Sequence, residues 1–240
     1  MATFVPEIPA NPPRGIASDL AGMWSFLLDP ASAAKRVRSK LFWIGPVLVF
    51  SIVSAIASYL LMPLVQHVLS ITPPPEGATP EQYQRGVQMS LMIQRILTWF
   101  MPLYTLAIFA LQAAVLLVGS MISGVKAKFG ELYNLIAGAS LIQVVAAIAA
   151  VVVVKAKGDV STMAELRPAL GLDIFLAEGT NKYLAALVGY FSVFEIWWIV
   201  MMVLIFATAF GVKKGKAFAV ITPLILLSIL LRVAGAAFQR

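Results

Sequence analysis

The chain has 240 residues, of which 60% are hydrophobic and only 12% are Asp, Glu, Lys or Arg, about half the charged share of an ordinary soluble domain. A mean hydropathy of +0.91 excludes a soluble globular enzyme and a disordered segment, and the length suits about five membrane spans joined by short loops. The formal charge of +7 then asks which side of a membrane the cations occupy, and nucleic acid is not an expected partner. The chain has no Cys and a single His, His67, so no disulfide, thiolate nucleophile, cofactor or metal centre is expected.

Residues 1–15 carry Pro6, Pro9, Pro12 and Pro13, with Arg14 as the only cation. The first long apolar run begins at Leu41, too late for a cleavable signal peptide. Residues 16–28 place Leu20, Met23, Trp24, Leu27 and Leu28 at helical spacing. The segment is too short to span, so it predicts an amphipathic helix in the cytoplasmic interface with Trp24 as anchor. Asp29-Pro30 ends it. Lys35, Arg36, Arg38 and Lys40 follow directly before the first span. They read either as a topology signal alone or as a lipid-surface basic cluster that docks lipid or protein; near such a surface each cation attracts anionic lipid by about 1 kcal/mol.

The expected fold is all-α, a polytopic membrane protein with a cytoplasmic segment over 1–40 and a five-helix transmembrane domain over 41–240. The spans are expected at about 41–65, 96–122, 132–154, 183–210 and 217–238. A spanning segment must satisfy its own backbone hydrogen bonds, so helices are predicted; barrel strands would alternate in polarity, and these runs do not. Pro46, Pro63, Pro102 and Pro223 fall inside or near the ends of spans, as helix punctuation or as hinges. The first outer loop opens with the stiff Pro73-Pro74-Pro75. After Pro80 the chain mixes polar and apolar residues at helical period, which predicts that the second span projects beyond the membrane as one longer helix. The second outer loop, 155–182, carries short apolar pieces such as Leu172, Ile174 and Phe175 and is expected to fold back onto the bilayer. His67 reads as an interfacial polar residue.

Five spans put the termini on opposite sides. With the N-terminus inside, the cytoplasmic segments hold ten of the 18 basic residues and a net charge of +6, against +2 on the other side. Short basic loops at 125–131 and 212–216 follow the positive-inside rule, so the expected setting is the cytoplasmic (inner) membrane with the C-terminus outside.

Glu195 is the one acid inside a span. Insertion of such a charge costs at least about 2.5–3.5 kcal/mol, so it must be neutral, paired or wetted. Arg232, on the antiparallel fifth span at an axial offset of about 5 Å, is the candidate partner. Three readings stay open: a buried Glu195–Arg232 pair that fixes packing, a proton or substrate site, or a contact to a partner protein. Gln112 and Gln143 are expected as interhelical hydrogen-bond groups. Ser51, Ala55 and Ser58, and separately Ser120 and Gly124, offer small-residue packing faces. No catalytic constellation is present: no HExxH, no P-loop, no nucleotide-binding glycine motif.

Three stretches carry a family resemblance: Phe26-Leu-Leu-Asp-Pro30 before the basic segment, residues 124–132 (GVKAKFGEL), and Phe194-Glu-Ile-Trp-Trp198 leading through Gly211 into Lys213-Lys-Gly-Lys-Ala217. Over about residues 24–238 the layout resembles the Yip-domain (Ypt-interacting protein) family of five-span membrane proteins, in its prokaryotic branch. The resemblance implies a five-helix membrane domain with a cytoplasmic N-terminus and no enzymatic activity. Eukaryotic relatives are linked to vesicle trafficking and small GTPases, and some prokaryotic relatives to ABC-type exporters. The long acidic N-terminal region of the eukaryotic type is missing, so GTPase binding is not expected. Glu195 stands where such proteins are usually apolar or small. The expected function is a non-enzymatic accessory subunit of a membrane assembly such as an ABC exporter, or an organiser of local, anionic lipid. The alternative is a small transporter or channel that uses Glu195. A homo-oligomer is left open.

Overall fold

A computed structural model describes residues 21–74, 77, 79–163, 165, 166, 168, 170–177 and 179–237. In chain order these form α1 (Ser25–Leu28), α2 (Pro30–Arg36), α3 (Ile44–Ile71), α4 (Pro80–Trp99), α5 (Met101–Ile122) and α6 (Phe129–Lys157). A 3-10 turn (Leu172–Phe175), α7 (Lys182–Val188), α8 (Val193–Phe210) and α9 (Lys214–Ala236) complete the order. α3, α5, α6, α8 and α9 are each long and apolar enough to cross a membrane, so the protein is integral to a membrane.

α6 is the centre of the bundle, with α3, α5 and α8 around it. Its buried face includes the small residues Ala137, Gly138, Ala139 and Ser140, which let neighbouring backbones approach closely. Helix ends follow local chemistry. α5 stops at Gly124 (φ 60°) and α8 at Gly211 (φ 63°). Beyond each glycine the next amide reaches back five residues, Val125 N to Ser120 O at 2.8 Å and Val212 N to Ala207 O at 3.0 Å, the Schellman ending that such a left-handed residue permits.

The N-terminal segment belongs to this core. Of the expected interfacial helix, residues 16–20 lie outside the described residues. The rest is helical in two pieces around Asp29, whose Oδ1 caps α2 by accepting from Ala31 N and Ser32 N at 3.1 and 3.0 Å. Those bonds, with the Ser32 hydroxyl first among them, hold the Asp29 carboxyl below the usual carboxylate range. Trp24 stays half exposed, but Met23 and Phe26 are buried. The Phe26 ring stacks on Phe42 with centroids 5.1 Å apart and fills the space where Gly138 of α6 lacks a Cβ. Trp197 Nε1 of α8 donates to Leu27 O at 2.9 Å, and an Arg38 guanidinium N–H donates to Ala209 O at 3.1 Å, near the other end of α8. The segment therefore runs along α8 instead of resting only on a bilayer surface.

Two expected helices are broken. Residues 80–122 form α4 and α5, separated at Phe100, because Pro102 has no N–H for the carbonyl of Thr98 and its ring crowds that carbonyl. The fourth span is interrupted at residues 189–192 between α7 and α8. There Ser192 Oγ accepts from Glu195 N at 3.0 Å, a side-chain cap that starts a new helix.

Candidate functional site

The break in the fourth span creates the main polar site. Ser192 caps α8, which places Glu195 in the first turn of that helix, and a carboxylate is favourable there. Depth follows from its partner. Gln143 Nε2 donates to Glu195 Oε2 at 2.9 Å, and Gln143 lies at the centre of the 29-residue α6. Glu195 is therefore level with the middle of α6 although it sits at a helix start, and α7 continues the bundle beyond it. Lys182 Nζ, at the start of α7, donates to Ala237 O just beyond the end of α9 at 3.3 Å.

Around Glu195 the structure gathers groups from three further positions. Tyr190, in the break, is 3% exposed. Its hydroxyl faces Glu195 and Ser228 of α9 but forms no hydrogen bond of good geometry. Arg232 lies one helical turn beyond Ser228, near enough for its charge to act on Glu195. Among the described residues, however, no N···O contact within 4.0 Å joins Arg232 to Glu195. A direct Glu195–Arg232 contact, one of the three readings of this acid, is not made in this structure, where Glu195 accepts from Gln143. The reason is register: α8 begins at Val193, and its first turn faces α6, while Arg232 is exposed about one turn from the end of α9.

A loop closes over this cluster. Gly171 pairs with Ser192 as an antiparallel bridge, and Leu172 N donates to Phe191 O at 3.3 Å. A Cβ on Gly189 would lie 2.8 Å from Asp173 Oδ2, and one on Gly171 2.7 Å from Gly189 O, so both positions require glycine for the loop to seat. Chemically, the cluster offers a carboxyl, an amide and a hydroxyl at one depth. They can lock α6 to α8, or hold and pass a proton.

The remaining expected residues fall elsewhere. Gln112 is half-buried on α5 and has no hydrogen-bond partner among the described residues. The basic cluster divides: Lys35 and Arg36 lie on α2, with Arg36 against Gly22, whereas Arg38 and Lys40 line an open cleft with Lys128. Tyr190, Ser228 and Lys128 were not singled out by sequence reasoning. A signal for the break was available in Ser192-x-x-Glu195, the spacing of a helix-starting capping box.

The family model for the Yip1 domain matches residues 24–235. No curated protein and no solved structure matches the chain.

Proposed function

Since the chain belongs to the Yip1 domain family, we propose that it is a non-enzymatic membrane protein that assists a larger membrane assembly, such as an ABC-type exporter, and orders the lipid around it. The positive-inside rule supports an N-terminus on the cytoplasmic side of the inner membrane. The observation that carries the reading is α4. None of its 20 residues is buried, and Met89, Met92, Ile93 and Ile96 form an exposed apolar stripe at helical spacing. A stripe left uncovered within the chain is available to a second membrane protein. Photo-crosslinking from position 93 in native membranes tests this. The expected product joins the chain to another multi-span protein and is lost in Met92→Asn/Ile96→Asn; crosslinks to lipid alone would defeat the reading.

The broken fourth span favours a second reading, a small transporter or channel. Interrupted helices at mid-membrane bring backbone and side-chain polar groups to one point, as the Glu195 cluster does. In proteoliposomes this reading requires proton- or substrate-driven flux that Glu195→Gln abolishes; flux that is absent, or unaffected by that change, rejects it.

A further inference from the structure

At the end of the bundle where α3 and α6 both begin, a cleft of about 760 Å³ opens between the 37–43 connection, α5 and the first turn of α6. Asn134, 3% exposed, fixes its floor. Its Oδ1 accepts from Trp43 N at 3.1 Å, and its Nδ2 donates to Val37 O at 3.0 Å and also to Ser39 O. One buried side chain thereby holds the connection in a set curve against α6. The curve carries Arg38 and Lys40 to the rim, and the 125–128 loop brings Lys128 to the same rim.

Three cations thus converge from segments about 90 residues apart in sequence. The ammonium groups of Lys40 and Lys128 make no hydrogen bond or ion pair among the described residues. Arg38 spends one N–H on Ala209 O, leaving others of its five. The one acid on the rim, Glu131, accepts from Lys128 N at 2.9 Å and so is engaged in starting α6. Below the rim the character changes. Trp43 and Tyr133 meet edge to face at 5.7 Å, and Leu106 and Ala110 of α5 continue the wall as apolar surface. Exposed cations beside less exposed aromatic and apolar side chains in one cleft match the phosphate and the glycerol and acyl regions of a phospholipid.

We propose that this cleft binds the headgroup of one anionic glycerophospholipid from the leaflet at that end of the bundle. Arg38, Lys40 and Lys128 hold the phosphate, and Leu106 and Ala110 lie along an acyl chain. The site deepens the lipid-ordering part of the proposed function and does not depend on a protein partner, so crosslinking at position 93 and lipid binding fail independently.

The test is native mass spectrometry of the full chain released from nanodiscs of equal phosphatidylglycerol and phosphatidylcholine. One phosphatidylglycerol is expected to be retained in preference. Lys40→Gln/Lys128→Gln, which removes two exposed cations with no partner among the described residues, takes away direct charge-assisted hydrogen bonds to the phosphate and is expected to weaken that retention about 100-fold. Lys40→Glu/Lys128→Glu should weaken it further. Lys35→Gln/Lys214→Gln removes two cations near the same end but outside the cleft and is expected to stay within about twofold of the parent. Equal losses in both double variants would reduce the effect to general surface charge and overturn the site, as would equal retention of the two lipids. Glycerol phosphate, which has the phosphate without the acyl chains, should not displace the lipid at millimolar concentration; displacement would overturn the assignment to a lipid.

Discussion

α6 and α3 have 29 and 28 residues, and mean hydropathies of 2.5 and 2.2 over their most apolar windows. Yet 44% of that window is buried in α6 and 11% in α3. Both helices are apolar all round, because both lie in a solvent as greasy as a protein core. What separates them is size and hydrogen bonding. The buried stretch of α6 is rich in Ala, Gly and Ser, with Asn134 and Gln143 reaching to other segments. α3 presents Leu48, Ile52, Ile56, Tyr59 and Leu60 outward. In a membrane, where lipid tails are as apolar as leucine, centrality is written in small and polar residues.

That contrast can be broken most severely at Gly138. Leucine there occupies the space of the Phe26 ring, and overpacking of this kind costs about 3 kcal/mol or more. Thermal unfolding in detergent is expected to fall by several degrees, with residues 24–36 becoming open to protease. Asn134→Ala comes next: it strands the Trp43 N–H and removes the donor to two carbonyls, at a cost of about 1–3 kcal/mol. The same melting assay reads it, and lipid retention at the basic cleft should weaken in parallel. Glu195→Ala removes one interhelical hydrogen bond, worth about 0.6–1.7 kcal/mol. The smallest effect is expected at Leu60→Ala on α3, within about 0.5 kcal/mol of the parent. A loss there as large as that at Asn134 would mean that α3 is covered by something in the membrane, and would erase the contrast.

The five spans were legible because a bilayer requires about 20 apolar residues in a row, and hydropathy counts those directly. The interruptions were less so. Gly189-Tyr-Phe-Ser192 is apolar enough to pass for continuous helix, and only the Ser192-to-Glu195 spacing hinted that a helix begins there. Pro102 reads as punctuation or as a hinge within one longer helix, whereas it separates two. The pairing of Glu195 with Arg232 followed from assuming one straight helix over 183–210; the break turns Glu195 toward Gln143 instead. The basic cluster before the first span was visible as a run, but contiguity is a poor guide to a cleft. Lys128 joins Arg38 and Lys40 because Asn134 bends the chain, and no local pattern encodes that bend.

The docking of Phe26 and Leu27 has a consequence for the order in which the molecule is made. The carbonyl of Leu27 meets Trp197, 170 residues later in the chain. At synthesis rates of about 5–20 residues per second, the receiving helix emerges roughly 10–30 s after the segment it receives. For most of that interval Phe26 lacks Gly138, and for all of it α8 is missing as a surface to pack against. A segment translated before all five spans is therefore among the last to settle, and its protection from protease marks the moment at which the whole bundle has assembled.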